Sequence, residues 1–491
     1  MPVRFPDEPG FQGRFAPVRL EGEIRGLEVI HGEVPPELHG TYYRVGADPA
    51  WPPAPGVTGD FYFNADGMVT MFRFSGGDVD FKSRYVRTPR FVAEREARRS
   101  LFGAYRNPYT DDPSVAGLSR GLANTNVYWH AGRLLASKED SPPVQIDPDT
   151  LDTVGEWTWS GDLSSKTATA HPKIDPRDGS LVFFGYAAKG ETTPDIAYYE
   201  ANASGRIIHE AWFTAPYSSM IHDWAVTENF VVFPIIPLTS DPDRLKNGGP
   251  YYVWDGSQDV YLGVVPRRGG GAGGGTVRWY RGTNRFASHI MNAFDDGRHV
   301  YIDTPVGNKS AFPWFPDIAG APFDPEKSRG YLSRWTIDTR ANPDEGFGEC
   351  RLTYCAGEFP RTDDRWATSQ YRFGLINLTD IPDQKADDGL PGFRWLASVD
   401  PETGAMRTRF AGRNSTVQEA VFVPGAPGAP HGEGYVLVLV DRHETATTEL
   451  LVLDAAHIDD LPVATLRIPI RMPGGLHGNW VSEQQRKEEE P

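Results

Sequence analysis

Apolar residues in this chain come in short runs, at 181–186, 230–236, 300–302, 420–423, 435–440 and 450–453, each rich in β-branched and aromatic side chains. Asp, Pro and Gly bound them. Short runs of this composition between turn formers read as strands. Turn signals recur as IDPDT at Ile146, IDPRDG at Ile174, WTIDT at Trp335 and VDPETG at Val399, where Asp and Pro preset a tight reversal. The pattern predicts hairpin after hairpin. No helical periodicity persists beyond about three turns, which argues against alternating βα units and a parallel sheet.

The expected fold class is therefore all-β. A chain of 491 residues with 52 glycines and 42 prolines must also hide its strand edges, and a propeller of four-stranded blades does so while leaving a central axis. Seven blades of roughly 70 residues fit this length. We expect one propeller domain over residues 1–491, ending at 482–491 in a charged, disordered tail. Stretches without strand pattern at 94–123, 238–249, 267–275 and 308–324 read as long loops capping the active-site face. The GGGAGGG run at Gly269 lacks the GK[ST] ending and following helix of a phosphate loop, so it reads as a flexible connection.

Composition narrows the partners. There are two cysteines, Cys350 and Cys355, and a lone C-x4-C pair is neither a zinc knuckle nor a disulfide framework. The 49 basic and 66 acidic residues give a net charge of −17, and the scattered basic residues argue against nucleic acid or an anionic lipid surface. No apolar stretch approaches the ~18 residues of a membrane span, and the N-terminus lacks the apolar core of a signal peptide. The expectation is a soluble, cytoplasmic protein with no stable membrane insertion. A homodimer is compatible with the sequence, and a small neutral or phenolic substrate stays open.

Four of the 12 histidines share a local setting at strand starts among small or apolar neighbours: ATAHPKIDP (His171), SMIHDWAVT (His222), FASHIMNAF (His289) and GGLHGNW (His477). Their separations of 51, 67 and 188 residues are roughly one, one and three blades, so each can reach the axis from a different blade. Four imidazoles together suit iron, copper, nickel or zinc. The residues alone leave both the metal and a plain packing role open.

TAHPKIDP, MIHDWAVTENF, GEFPR at 357–361, EAVFVP at 419–424 and the terminal LHGNW follow one another in this order, preceded by FNADGMV at Phe63. This set resembles the carotenoid cleavage oxygenase family over nearly the whole chain. The resemblance implies a seven-bladed propeller with one Fe(II) per chain on its axis, bound by His171, His222, His289 and His477. It also implies that Glu139, Glu358 and Glu419 accept hydrogen bonds from ligand imidazoles. Such a carboxylate fixes the tautomer and leaves four neutral ligands on the ion. Two adjacent positions of an octahedral iron then stay open for dioxygen and a water or substrate edge, with Thr125 near one of them.

In ASKEDSPP, Lys138 precedes Glu139, and Tyr105 stands upstream in FGAYRNP. This pairing resembles the stilbene-cleaving branch, the lignostilbene dioxygenases. There the Lys and Tyr hold the 4-hydroxyl of the substrate, which maps onto Lys138 and Tyr105, with Phe63 beside the ring. A phenol held this way ionises more readily and pushes electron density toward the olefin under attack. The implied reaction adds both atoms of O2 across the interior C=C of a 4-hydroxystilbene of lignostilbene or resveratrol type, giving two aromatic aldehydes without an organic cofactor. Two rival readings are an apocarotenoid cleavage dioxygenase, against which the polar segment NPYTDDPS after Tyr105 argues, and a non-catalytic propeller that binds other molecules.

Overall fold

The computed structural model describes residues 3–54, 56–57, 63–267, 276–382 and 390–489. Antiparallel meanders follow the turn signals in chain order. Asn126–His130, Arg133–Ser137, Val144–Ile146 and Thr153–Glu156 form a four-stranded sheet. Its IDPDT turn is closed by Asp147, whose side chain accepts from Asp149 N at 2.9 Å and Thr150 N at 2.8 Å, as an Asx turn requires. Lys173–Ile174, Leu181–Tyr186, Asp195–Ala201 and Ile207–Thr214 make the next sheet, and Ala225–Val226, Phe230–Ile235, Val260–Pro266 and Arg278–Gly282 the one after.

An eight-stranded sheet then runs from Phe286–Ala287 to Met406–Phe410. It is continuous because the 15-residue strand Gly348–Thr362 pairs through its first half with Tyr331–Asp338 and through its second with Gly374–Leu378.

The two ends of the chain interlock. The sheet of Ser415–Pro424, Gly434–Arg442, Thr447–Asp454 and Ala464–Ile468 takes the early strand Glu28–Gly32 at its edge. Reciprocally, Gly22–Ile24, Asp78–Tyr85, Gly67–Ser75 and Gly40–Ala47 receive the late strand Gly475–Ser482. The fold is a closed circuit of antiparallel sheets, all-β as expected.

Sheets pack face to face, which explains why many strands read as continuous apolar runs. Leu181–Tyr186 is buried at every position, because both of its faces meet other sheets or loops. Trp159, in the turn that follows Thr153–Glu156, stacks on Phe183 at 4.3 Å, and Phe183 stacks on its cross-strand partner Tyr199 at 5.0 Å. Truncating Phe183 to alanine would open a cavity between them at a cost of roughly 3–5 kcal/mol. By contrast Asp78–Tyr85 alternates in burial, as a strand with one wet face should.

Among the described residues there are three short helices, the longest being Pro89–Ala97, and none is long and apolar enough to cross a membrane. Parts of the expected loops carry structure of their own. The 94–123 segment includes the end of Pro89–Ala97 and 3-10 turns at Pro108–Thr110 and Pro113–Val115, and 238–249 holds the helix Pro242–Lys246. The glycine run at Gly269 lies outside the described residues. The terminal charge run, expected as a disordered tail, is instead helical over Glu483–Glu489. Arg486 anchors it by donating to both carboxylate oxygens of Asp149 at 3.0 and 3.1 Å. Cys350 is exposed, Cys355 is buried, and both are free thiols.

Candidate metal centre

Three of the four histidines sit where an edge strand of a sheet begins or breaks. His171 precedes Lys173–Ile174, His222 precedes Ala225–Val226, and His289 lies between Phe286–Ala287 and Asn292–Asp295. His477 is within the closing strand Gly475–Ser482. The glycines of GGLHGNW let that strand approach its neighbour, since a Cβ at Gly478 would lie 2.6 Å from the Tyr43 carbonyl oxygen. Four sheets thus deliver four buried imidazoles to one point. The Nε2 atoms of His171 and His222 are 3.2 Å apart, those of His222 and His289 3.0 Å, and those of His289 and His477 3.1 Å. All four lie within 4.8 Å of one another.

The far side of three rings is fixed by carboxylates. Nδ1 of His222 donates to Glu139 at 2.9 Å, that of His289 to Glu358 at 2.6 Å, and that of His477 to Glu419 at 2.7 Å. A proton held on Nδ1 leaves the Nε2 lone pair facing the centre. Burial, reinforced by the neighbouring His477, His222 and His289, holds the His171 pKa well below its usual value, so this imidazole stays in the neutral form a metal needs. Burial alone would raise the Glu139 and Glu358 carboxyls, but their histidine partners outweigh it and bring each to about 2. Four neutral nitrogen donors with three oriented rings fit a divalent transition metal.

Two β-bulges aim the carboxylates. In a regular strand residues i and i+3 face opposite ways, yet Glu358 meets His289 and Arg361 meets Glu419, at 3.1 Å. The pairing register shifts between Glu358 and Arg361, and Phe359 within the bulge takes the left-handed conformation at φ +55°. Its ring stacks on His289 at 5.2 Å. A second shift, between Val417 and Ala420, places Gln418 and Glu419 side by side against the closing strand, where they accept from Gly475 N at 2.9 Å and Gly478 N at 3.2 Å. Bulges near active sites commonly re-aim side chains in this manner.

Beside the histidines lies an aromatic cluster. Lys138 is 2% exposed, and its ammonium sits 4.6 Å above the Phe63 ring and 5.0 Å above that of Tyr105. It makes no hydrogen bond among the described residues. The Tyr105 hydroxyl reaches Glu139 Oε1 at 3.4 Å, so Glu139 bridges this cluster and His222. Phe63 also packs 5.2 Å from Phe312, 5.4 Å from Trp314 and 5.5 Å from Phe315. Thr125 is buried and tied to the closing strand, its carbonyl accepting from His477 N at 3.1 Å, while its hydroxyl donates to Asn124 Oδ1 at 2.9 Å.

Residues 15–482 match the family model described as retinal pigment epithelial membrane protein, RPE65. The lignostilbene-α,β-dioxygenase isozyme III of Sphingomonas paucimobilis is 45% identical over 97% of this chain and 98% of its own length. The isoeugenol monooxygenase of Pseudomonas nitroreducens is 42% identical over 97% and 98%. The crystal structure of Pseudomonas brassicacearum lignostilbene dioxygenase superposes with a TM-score of 0.93 at 41% identity, covering 98% of this chain and 100% of that one. The chain belongs to the RPE65/carotenoid cleavage oxygenase family.

Carotenoid cleavage oxygenases are iron-dependent propeller proteins, and the four buried imidazoles form the site where this member can hold that ion. Several further residues of the site stand in the motifs that mark the family, yet nothing local to them singles them out. Arg361 donates to Glu419, to the Gly478 carbonyl at 2.8 Å and to Asn479 Oδ1 at 2.9 Å. Asp223 and Lys173 pair at 2.7 Å. All three line a cavity of about 340 Å³ that touches His171, His289 and His477 but none of Phe63, Tyr105 and Lys138. The aromatic density of AFPWFP at 311–316 was the available signal for Phe312, Trp314 and Phe315.

Proposed function

We propose that this chain is an Fe(II) dioxygenase that cleaves the interior double bond of a 4-hydroxystilbene, R–CH=CH–R′ + O2 → R–CHO + R′–CHO. His171, His222, His289 and His477 would hold the ion, with Glu139, Glu358 and Glu419 orienting three of them. Bound iron supplies the activation of dioxygen. The observation that carries the substrate assignment is the buried Lys138 ammonium, which lies over Phe63 and Tyr105 without a hydrogen-bond partner among the described residues.

Each side chain has a definable task. Burial holds the Lys138 pKa below the usual lysine range, against the opposing pull of Glu139 and Asp140, and the ammonium, by donating to the oxygen of a docked phenol, stabilises the phenolate form. Tyr105 is pushed well above its usual range by burial and by the charges of Glu139 and Asp140. It therefore stays protonated, and its O–H turns from Glu139 to hydrogen-bond the same oxygen when a phenol docks. Two donors on one oxygen favour the ionised phenol, whose charge spreads through the ring to the olefin. Phe63, with Phe312 and Trp314, stacks against the substrate ring and excludes water, which strengthens these charge interactions. Thr125 borders the open side of the metal centre. The reading also takes the fold as a single domain of seven blades. Dividing the eight-stranded sheet within Gly348–Thr362, where its pairing partner changes, supports that number.

A shorter propenylphenol is a second reading, favoured by the 42% identity to an isoeugenol monooxygenase, because it carries the same phenolic handle. The test is a substrate panel with anaerobically iron-loaded protein: a 4-hydroxystilbene, its 4-methoxy analogue, isoeugenol and an apocarotenoid, with aldehydes measured by chromatography. The 4-hydroxystilbene should be cleaved and the methoxy analogue should not, since the latter cannot ionise and strands polar groups at about 1–3 kcal/mol each. Equal cleavage of both stilbenes, or preference for the apocarotenoid, would refute the phenolate role.

A further inference from the structure

Among the described residues no carboxylate reaches the ring of His171, so something else must place it. Its main chain is held instead: the His171 N–H donates to Thr169 Oγ1 at 2.9 Å, and its carbonyl accepts from the Trp224 indole at 2.9 Å. Trp224 follows Asp223, which follows His222. Asp223 is buried. Its Oδ1 accepts from Lys173 Nζ at 2.7 Å and from Trp224 N at 2.8 Å, and its Oδ2 accepts from Ile290 N at 2.8 Å. Lys173 lies two residues after His171 and Ile290 directly after His289. One carboxylate therefore joins the segments bearing three of the histidines, which belong to three different sheets.

We propose that Asp223 is a positioning residue that sets the mutual spacing of His171, His222 and His289 and thereby the retention of the metal. The inference rests on the metal-site reading above. Charge and valency both matter. A carboxylate offers two acceptor oxygens to two backbone N–H groups and an ammonium, whereas an amide offers one oxygen and turns a donor toward the rest. Lys173 and Trp224 then carry the constraint to His171, and the Ile290 N–H carries it to His289. This differs from the role of Glu139, Glu358 and Glu419, each of which holds one ring.

The experiment uses the full chain loaded with cobalt(II), comparing wild type with D223N, K173M and W224F. Three quantities are measured: the rate of metal extraction by a chelator, the visible spectrum of the bound ion, and the melting temperature of the metal-free protein. Removing outer partners of metal ligands weakens metal binding by about 10- to 100-fold. D223N should accordingly lose cobalt about 10-fold faster or more, with an altered spectrum. K173M and W224F should show smaller changes in the same direction, because each cuts only the link to His171. Unchanged extraction and spectrum in D223N would overturn the proposal, as would a fall in melting temperature with both metal readouts intact. If D223N does not fold, K173M and W224F decide, and wild-type behaviour in both overturns it. A wild-type chain that takes up no cobalt would instead sink the metal centre itself.

Discussion

Lys138 and Lys173 both stand next to the histidine cluster, but in opposite circumstances. Lys173 lines the cavity beside the histidines, keeps 24% of its side chain exposed and pairs with Asp223 at 2.7 Å. Lys138 is almost wholly buried, and aromatic faces are its nearest partners. Burying an ammonium without a carboxylate in contact is costly, although cation–π contacts recover part of that cost. In the proposed reading, the oxygen of a docked phenol offsets that cost. A satisfied lysine holds structure together, and an unsatisfied one is poised for a ligand.

The largest effect expected is on the centre both lysines flank. His222→Ala removes a donor and strands the Glu139 carboxylate, so iron content after anaerobic purification should collapse and aldehyde formation with it. Full iron and activity in that variant would end the metal assignment.

Lys138→Met comes next and divides the two lysines. It should retain iron yet lose roughly 10²- to 10³-fold of 4-hydroxystilbene turnover, the range expected when a donor to a developing anion is removed. Lys173→Met should show its effect on metal retention instead. If both variants failed in the same assay, the contrast between them would be wrong.

Glu139→Gln, Glu358→Gln and Glu419→Gln should each weaken iron binding by about 10- to 100-fold with the fold intact, read from metal titration. Glu139 alone also accepts from Tyr105. Its variant should therefore disturb substrate affinity as well, and equal KM values across the three would contradict the bridge.

The smallest effect is on stability. Burial lowers the Lys138 pKa in the folded state below the ordinary value of 10.5. The charged form is thus penalised at all pH values below the folded pKa, and stability recovers as pH rises from there toward 10.5. Lys138→Met should stabilise the metal-free protein at pH 7, with the gap over wild type closing in alkaline solution. Urea midpoints measured across that range would show a constant gap if Lys138 were not buried as a cation.

Local chemistry explains what was legible in the sequence. Short apolar runs and Asp-Pro turns are written within ten residues, and they foretold the hairpins, including Leu181–Tyr186 at its observed bounds. Four histidines in similar settings pointed to a shared centre, and the structure brings all four together. What stayed hidden depends on partners far along the chain. The bulge after Glu358 shows only as a shift against Gly374–Leu378, and Asp223 looks like any acidic residue until Lys173 and Ile290 fold around it. The terminal helix was misread because a charge run was judged without Asp149, its partner 337 residues earlier.

The interlocked ends also set an order of events during synthesis. His477 arrives on Gly475–Ser482, which pairs with Gly40–Ala47 from the start of the chain. Until Gly475–Ser482 leaves the ribosome, the earlier strand presents an unpaired edge and the other three imidazoles lack their fourth companion. Pairing across such a sequence distance is slow, and open strand edges invite aggregation. Ring closure and completion of the metal centre are therefore one step.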